Sequence, residues 1–292
     1  MRDRLLLALG AVIALLSGIG QLCAEDAIPP AIRWETDYAT AYRAAESQQK
    51  MLVIYFADAA TSEAEKAWEA DMIASSVIRG GLEGAIALRV PLAYEVADDE
   101  GKSSRLLGHT AFVELRQQRG LAMIDFRDPE KAHYGRVVSI LPCPETKRPT
   151  IAQLAALFEL PAGSLTQRTM IWAIRIHPDL PASTTGRCEP ILTTAAETHS
   201  QLQANIRRQG HHHWQTRFHQ LNARLGNGLV TTEVCAESWP GESLVDAARE
   251  CVRCWRLSPG HWNSVSRAST AYGYDIKRGS NGIWYATGIF GR

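Results

Sequence analysis

Helical and strand-like spacings of apolar residues alternate along the first half of the chain. Over residues 37–48, Tyr38, Ala41, Tyr42 and Ala45 recur at helical spacing behind Asp37, a residue type that caps helices. Residues 51–57 (MLVIYFA) form an unbroken apolar run of strand length, suited to the middle of a sheet. Helical spacing returns over 62–73, where Ser62 followed by Glu65 reads as a capping box. Residues 85–91 predict a second strand. Residues 111–115 and 121–126 predict two more, joined by a hairpin-length turn that ends in Gly120. A strand over 137–141 and a helix over 150–158 complete a βαβ-then-ββα order.

The second half is patterned differently. An apolar helix over 170–176 is followed by 192–208, where Leu192, Ala195, Ala196, His199, Leu202, Gln203 and Ile206 share one helical face. Then come the run Gly210-His211-His212-His213-Trp214, a helix with Phe218 and Leu221, the segment 234–239, a helix over 244–257, and the turn Ser258-Pro259-Gly260-His261-Trp262. Residues 270–291 predict two strands around Asn281-Gly282, a strong hairpin signal. Helices followed by strands predict an α+β domain. The boundary between the halves falls near 161–166.

With 292 residues the chain has room for two domains, each able to bury its own core. Lysine plus arginine and aspartate plus glutamate balance at 31 each, which argues against a nucleic-acid partner, because that needs a clustered basic excess. Residues 1–24 read as a signal peptide: basic start, apolar centre, small-residue end. Export follows, to the periplasm or beyond. Five cysteines remain after residue 24 (Cys143, Cys188, Cys235, Cys251 and Cys254), and an oxidising compartment favours pairing among them, with Cys235–Cys251 the preferred bridge. Cys251-Val-Arg-Cys254 lies inside a helix, which is the wrong place for a redox pair.

Residues 30–161 resemble the thioredoxin fold in pattern, especially its divergent forms in exported bacterial proteins. The family's C-x-x-C motif would follow the central strand, but Asp58-Ala59-Ala60-Thr61-Ser62-Glu63 stands there, and no proline stands at Gly108-His109-Thr110. The resemblance therefore implies a redox-inactive module, a thiolate being required for exchange, and suggests a surface for a protein partner.

Residues 165–292 resemble the CAP superfamily (cysteine-rich secretory, antigen 5 and pathogenesis-related proteins) in its bacterial form, which implies an α-β-α sandwich. The resemblance rests on Ala196-Glu197-Thr198-His199-Ser200, a histidine among His211–His213, Ala236-Glu237-Ser238 in place of Gly-Glu-Asn, Trp255-Arg256-Leu257-Ser258-Pro259-Gly260-His261, and the closing strand pair. It implies a cleft formed by His211, His213, Glu237, Ser258 and His261, of which His211, His213, Glu237 and His261 would suffice for a weak divalent-metal site such as zinc. His199 reads better as a core histidine. The expected function is binding of a small lipid, peptide or cell-envelope ligand. The alternative is a hydrolase of peptidase type, in which the same His/Glu set activates water. Neither a G-x-S-x-G elbow nor H-E-x-x-H is present.

Overall fold

The computed structural model of the chain describes residues 32–58, 62–97, 101–226 and 228–292. The expected leader, Cys23 and residues 59–61 of the cysteine-free stretch lie outside them. No helix among the described residues is long and apolar enough to cross a membrane.

The first half contains β1 (Trp34–Glu35), α1 (Tyr38–Ser47), β2 (Met51–Ala57), α2 (Glu63–Ala74), α3 (Ser76–Glu83), β3 (Ile86–Pro91), β4 (Glu95–Ala97), β5 (Ser103–Arg105), β6 (Gly120–Asp125), β7 (Arg136–Pro142) and α4 (Ile151–Phe158). Five strands form one sheet in the order β1-β3-β2-β6-β7, with β1, β3 and β2 parallel and β6 and β7 antiparallel. The run of β2 is apolar because both its faces are covered. Leu52, Ile54 and Phe56 pack with Ala41 and Ala45 of α1, while Val53 and Tyr55 pack with Ile78 of α3 and Leu154 of α4.

Asp37 and Ser62 cap α1 and α2, accepting from the Thr40 and Glu65 amides. The Glu65 carboxylate does not complete the expected box. It turns inward, accepts from the Tyr55 hydroxyl at 2.8 Å and pairs with the buried Arg119 guanidinium. The expected strand over 111–115 is instead a 3-10 turn, Thr110–Leu115. Phe112 and Leu115, three residues apart, are both buried, and the consecutive left-handed residues Arg116 and Gln117 (φ 52° and 60°) end the turn. The neighbours of β6 are β2 and β7.

The second half comprises α5 (Leu165–Arg175), β8 (Arg187–Cys188), α6 (Pro190–Ile206), α7 (Trp214–Leu225), β9 (Thr231–Glu237), α8 (Leu244–Leu257), α9 (Pro259–Ser266), β10 (Ala271–Arg278) and β11 (Trp284–Gly291). Its sheet has the order β8-β10-β11-β9. Alternation divides the side chains. Tyr272, Tyr274, Ala286, Phe290 and Val234 join a core with Met170 of α5 and Cys251 and Trp255 of α8, while α6 lies on the other face. There the helix backbone rests on Gly273, where a Cβ would stand 2.3 Å from the Leu192 carbonyl carbon.

The two sheets share the core between them, while the α1 face of the first and the α6 face of the second each carry a cluster of their own. One cluster runs from Val53 and Leu157 through Met170 and Trp172 to Trp255 and Phe290, and residues 32–292 form one compact unit. Its bolt is α5, which begins at the expected boundary with Ser164 as cap. Arg168, 1% exposed, donates to Ser139 Oγ at 2.8 Å and to the Leu157, Leu160 and Pro161 carbonyls at 2.8–3.0 Å. The Trp172 indole donates to the Gln153 carbonyl, and Glu114 accepts the Leu244 amide at the start of α8.

Two predictions follow from this packing. Arg168→Ala strands four acceptors and is expected to cost about 3 kcal/mol or more, with both halves melting together in denaturant titrations followed by far-UV and tryptophan signals. Asp275, fully buried on β10, accepts from Thr166 Oγ1 at 2.6 Å, and burial pushes its carboxyl up to about 7 despite Lys277 at 3.4 Å. The folded chain thus keeps a proton that the unfolded chain has lost. This contribution to stability is full below about pH 4 and is gone above about pH 7. Asp275→Asn is therefore expected to flatten the fall in denaturation midpoint between pH 5 and pH 8.

Candidate functional site

Pro190 starts α6, and Arg207, in the left-handed conformation, ends it. The chain leaving the helix is tied back to it. The Gly210 amide donates to Gln203 Oε1 at 3.1 Å, His199 Nε2 lies 2.9 Å from the Gly210 carbonyl, and the Gln203 side-chain amide donates to Thr287 Oγ1 of β11. These contacts set His211 at the edge of the sheet, above β9.

Alternation on β9 turns Glu233 and Cys235 toward α6 and α7. Glu233 Oε1 meets His211 Nδ1 at 3.0 Å, while Oε2 accepts from Arg217 Nε and Nη2 at 3.0 and 2.5 Å. Arg217 also donates to the His212 carbonyl at 2.8 Å, so one guanidinium from α7 holds both the carboxylate and the histidine run. Burial alone would raise the Glu233 carboxyl, but the His211 hydrogen bond and the neighbouring positive charge hold it below its usual value. It is an anion. His199, 3.8 Å from Glu233 Oε1, is kept neutral chiefly by burial, and its Nδ1 has no partner among the described residues.

From the other side α9, begun by Pro259, brings His261 Nε2 to 3.4 Å from His211 Nε2. The tautomer of His211 that gives Nδ1–H to the carboxylate turns its Nε2 lone pair toward His261. Burial first, and His211 second, lower the His261 pKa, so this ring too stays neutral at pH 7. Two imidazole nitrogens bound to one tetrahedral ion at about 2.0–2.1 Å stand about 3.3–3.4 Å apart. The pair has that spacing, and the buried carboxylate behind one ring is the support that metal-binding histidines use.

The other expected residues lie elsewhere. Glu237 is exposed at the end of β9, in register with Tyr285. His213 caps α7 in a left-handed conformation and lines a groove of about 310 Å³ between α6 and α7. Ser258 caps α9 with its backbone, its side chain making no capping bond. The glutamate beside the histidines is Glu233, four residues before Glu237 on the same strand face, and Arg217 was not anticipated at all. The signal for Glu233 was a carboxylate two residues before Cys235 in an apolar segment.

All five described cysteines are free, and the expected Cys235–Cys251 bridge is not made. The two thiols serve opposite sides of the sheet, Cys235 beside Glu233 and Cys251 in the core under α8. His199, Glu233 and Cys235 offer ligand atoms within 4.8 Å of one another, yet Glu233 is already engaged on both oxygens. Burial raises the Cys235 thiol well above its normal range, so at 3.7 Å from His211 Nδ1 it is a packed thiol and not an activated nucleophile.

No family model, curated protein or solved structure matches the chain.

Replacing His211 by alanine removes the smaller of the two causes that depress His261. The His261 ring resonances are expected to titrate nearer the ordinary histidine value, though still below it if burial persists, as NMR pH titration would show. An unchanged midpoint would mean that the rings do not face each other in solution.

Proposed function

We propose that the chain is an exported binding protein whose His211–His261 pair, backed by Glu233 and Arg217, holds a divalent ion such as zinc and presents it to an oxygen-bearing ligand. The carrying observation is the 3.4 Å separation of the two Nε2 atoms, with the opposite nitrogen of His211 on a buried carboxylate. Two protein nitrogens leave coordination positions open, so the ion would act as an electrostatic anchor for a carboxylate or phosphate of a small lipid, peptide or cell-envelope ligand. Export is supported by the leader-like residues 1–24. A CAP-like reading of the second half is supported by its ordered motifs and by a sheet with helices on both faces. A thioredoxin-like, redox-inactive reading of the first half is supported by its strand order β1-β3-β2-β6-β7. A binding role is preferred to hydrolysis because Glu233, the carboxylate beside the histidines, is engaged on both oxygens by His211 and Arg217 and is not free to activate water.

Titration with zinc or cobalt(II), followed by calorimetry and by the cobalt absorption bands, tests the proposal. The wild type should take up one ion per chain, His261→Ala should lose it, and Glu233→Gln should weaken it about 10–100-fold. Glu237→Gln should bind normally. Uptake should also fail as the pH drops and the imidazoles protonate. A wild-type protein without saturable uptake, or one whose uptake survives His261→Ala, would refute this assignment.

A further inference from the structure

A groove follows the first turns of α8 where the two sheets are joined. Its two lobes, about 410 and 630 Å³, share Arg116, Lys147, Asp246 and Arg249. The four residues come from separate places: the left-handed end of the 3-10 turn, the loop before α4, and α8. Each lobe has the size of a small-molecule site. Apolar side chains, among them Leu141, Trp172 and Val245, line the smaller lobe between the cations.

The charges in the smaller lobe do not cancel. Arg148 is compensated by Glu65 at 3.4 Å and Glu145 at 3.6 Å. Among the described residues, Arg116 donates only to a neutral acceptor, the Gly241 carbonyl, at 2.8 Å. Among the described residues no hydrogen bond or ion pair engages the Lys147 or Arg249 side chain. Among the described residues, Asp246 is the one acid that lines the smaller lobe with these three cations, and its carboxylate accepts from the Ser243 hydroxyl at 2.6 Å. Three cations around a concave apolar wall repel one another and concentrate a positive potential there, although the whole chain has zero formal charge. The larger lobe adds Glu242 and Glu250 to the same cations, and its further arginine, Arg253, is already paired with Glu250, so the positive excess is greater in the smaller lobe. A ligand would therefore lie with its anionic end in the smaller lobe.

We propose that this groove, separate from the histidine site, binds a small organic anion carrying two or more phosphate or carboxylate groups, recognised by Arg116, Lys147 and Arg249. The two arginines supply paired N–H donors suited to either oxyanion, and Lys147 supplies a point charge.

Inorganic pyrophosphate and citrate are the probes, titrated by calorimetry at low and at physiological salt. Saturable one-site binding that weakens with salt is expected for at least one of them, and the tighter of the two tells phosphate from carboxylate recognition. The Lys147→Gln/Arg249→Gln double variant should weaken binding about tenfold or more, whereas Asp246→Asn should strengthen it by removing the opposing charge. His261→Ala should bind the probe as the wild type does, which separates this result from the metal titration. Absence of saturable binding by both probes overturns the proposal, as does equal binding by a double variant whose near-UV circular dichroism is unchanged.

Discussion

Arg168 carries a charge into a place where charges are costly. Among the described residues no carboxylate pairs with it directly. Its donors are spent on Ser139 and on carbonyls at and beyond the end of α4, where the helix dipole favours a cation. Desolvation lowers its pKa only to about 10, so the guanidinium stays charged at neutral pH. Burying an ion is tolerable when its hydrogen bonds are all made, and removing such a partner is far costlier than never having had it. The arginine therefore fixes α5 to the first sheet. Because the other face of α5 packs on α8 and β10, the same contact fixes the second sheet to the first.

The two candidate sites stand differently toward that bolt. The cationic groove exists only while the 3-10 turn and the loop before α4 are held against α8, since its cations come from both halves. Glu114 and Arg116 reinforce the junction by meeting the Leu244 amide and the Gly241 carbonyl at 2.7 and 2.8 Å. The histidine pair lies wholly within the second half, and its organiser is Glu233. One buried carboxylate orients His211 through Oε1 and anchors Arg217 through Oε2, so ring tautomer and helix position follow from a single ion pair. Burial first, and the same carboxylate second, keep the adjacent thiol inert, since an anion beside Cys235 opposes a second negative charge there.

Much of the local structure was legible in the chain, and particular residues show why. The apolar run 51–57 is β2 because no polar residue interrupts it, and both its faces are covered. Asp37 and Ser62 cap helices through bonds made within three residues. Asn281 and Gly282 sit in the loop between β10 and β11, with Gly282 at φ 77°. That His211 and His261 belong together was an expectation of the CAP resemblance and of nothing local, since 50 residues separate them.

What depended on distant packing was not legible. Residues 111–115 have strand-like composition, but their burial at every third residue is decided by the sheet above them. Alternation put Glu233 and Glu237 on the same face of β9. Only the placement of α7, and the arginine it carries, selects Glu233 and leaves Glu237 exposed at the strand end. Cys235 and Cys251 are close in sequence and lie on opposite sides of the sheet, a separation set by the strand pleat and the position of α8. The core cluster shared by both halves was likewise hidden, because apolar spacing marks the buried face of an element and leaves its partner unspecified. Sequence by itself determined most of the elements and several of their caps, which rest on interactions between near neighbours, and it supplied the two histidines. The tertiary structure decided which carboxylate serves them, which thiols stay apart and where the cations converge, because each of these is a meeting of elements far apart in the chain.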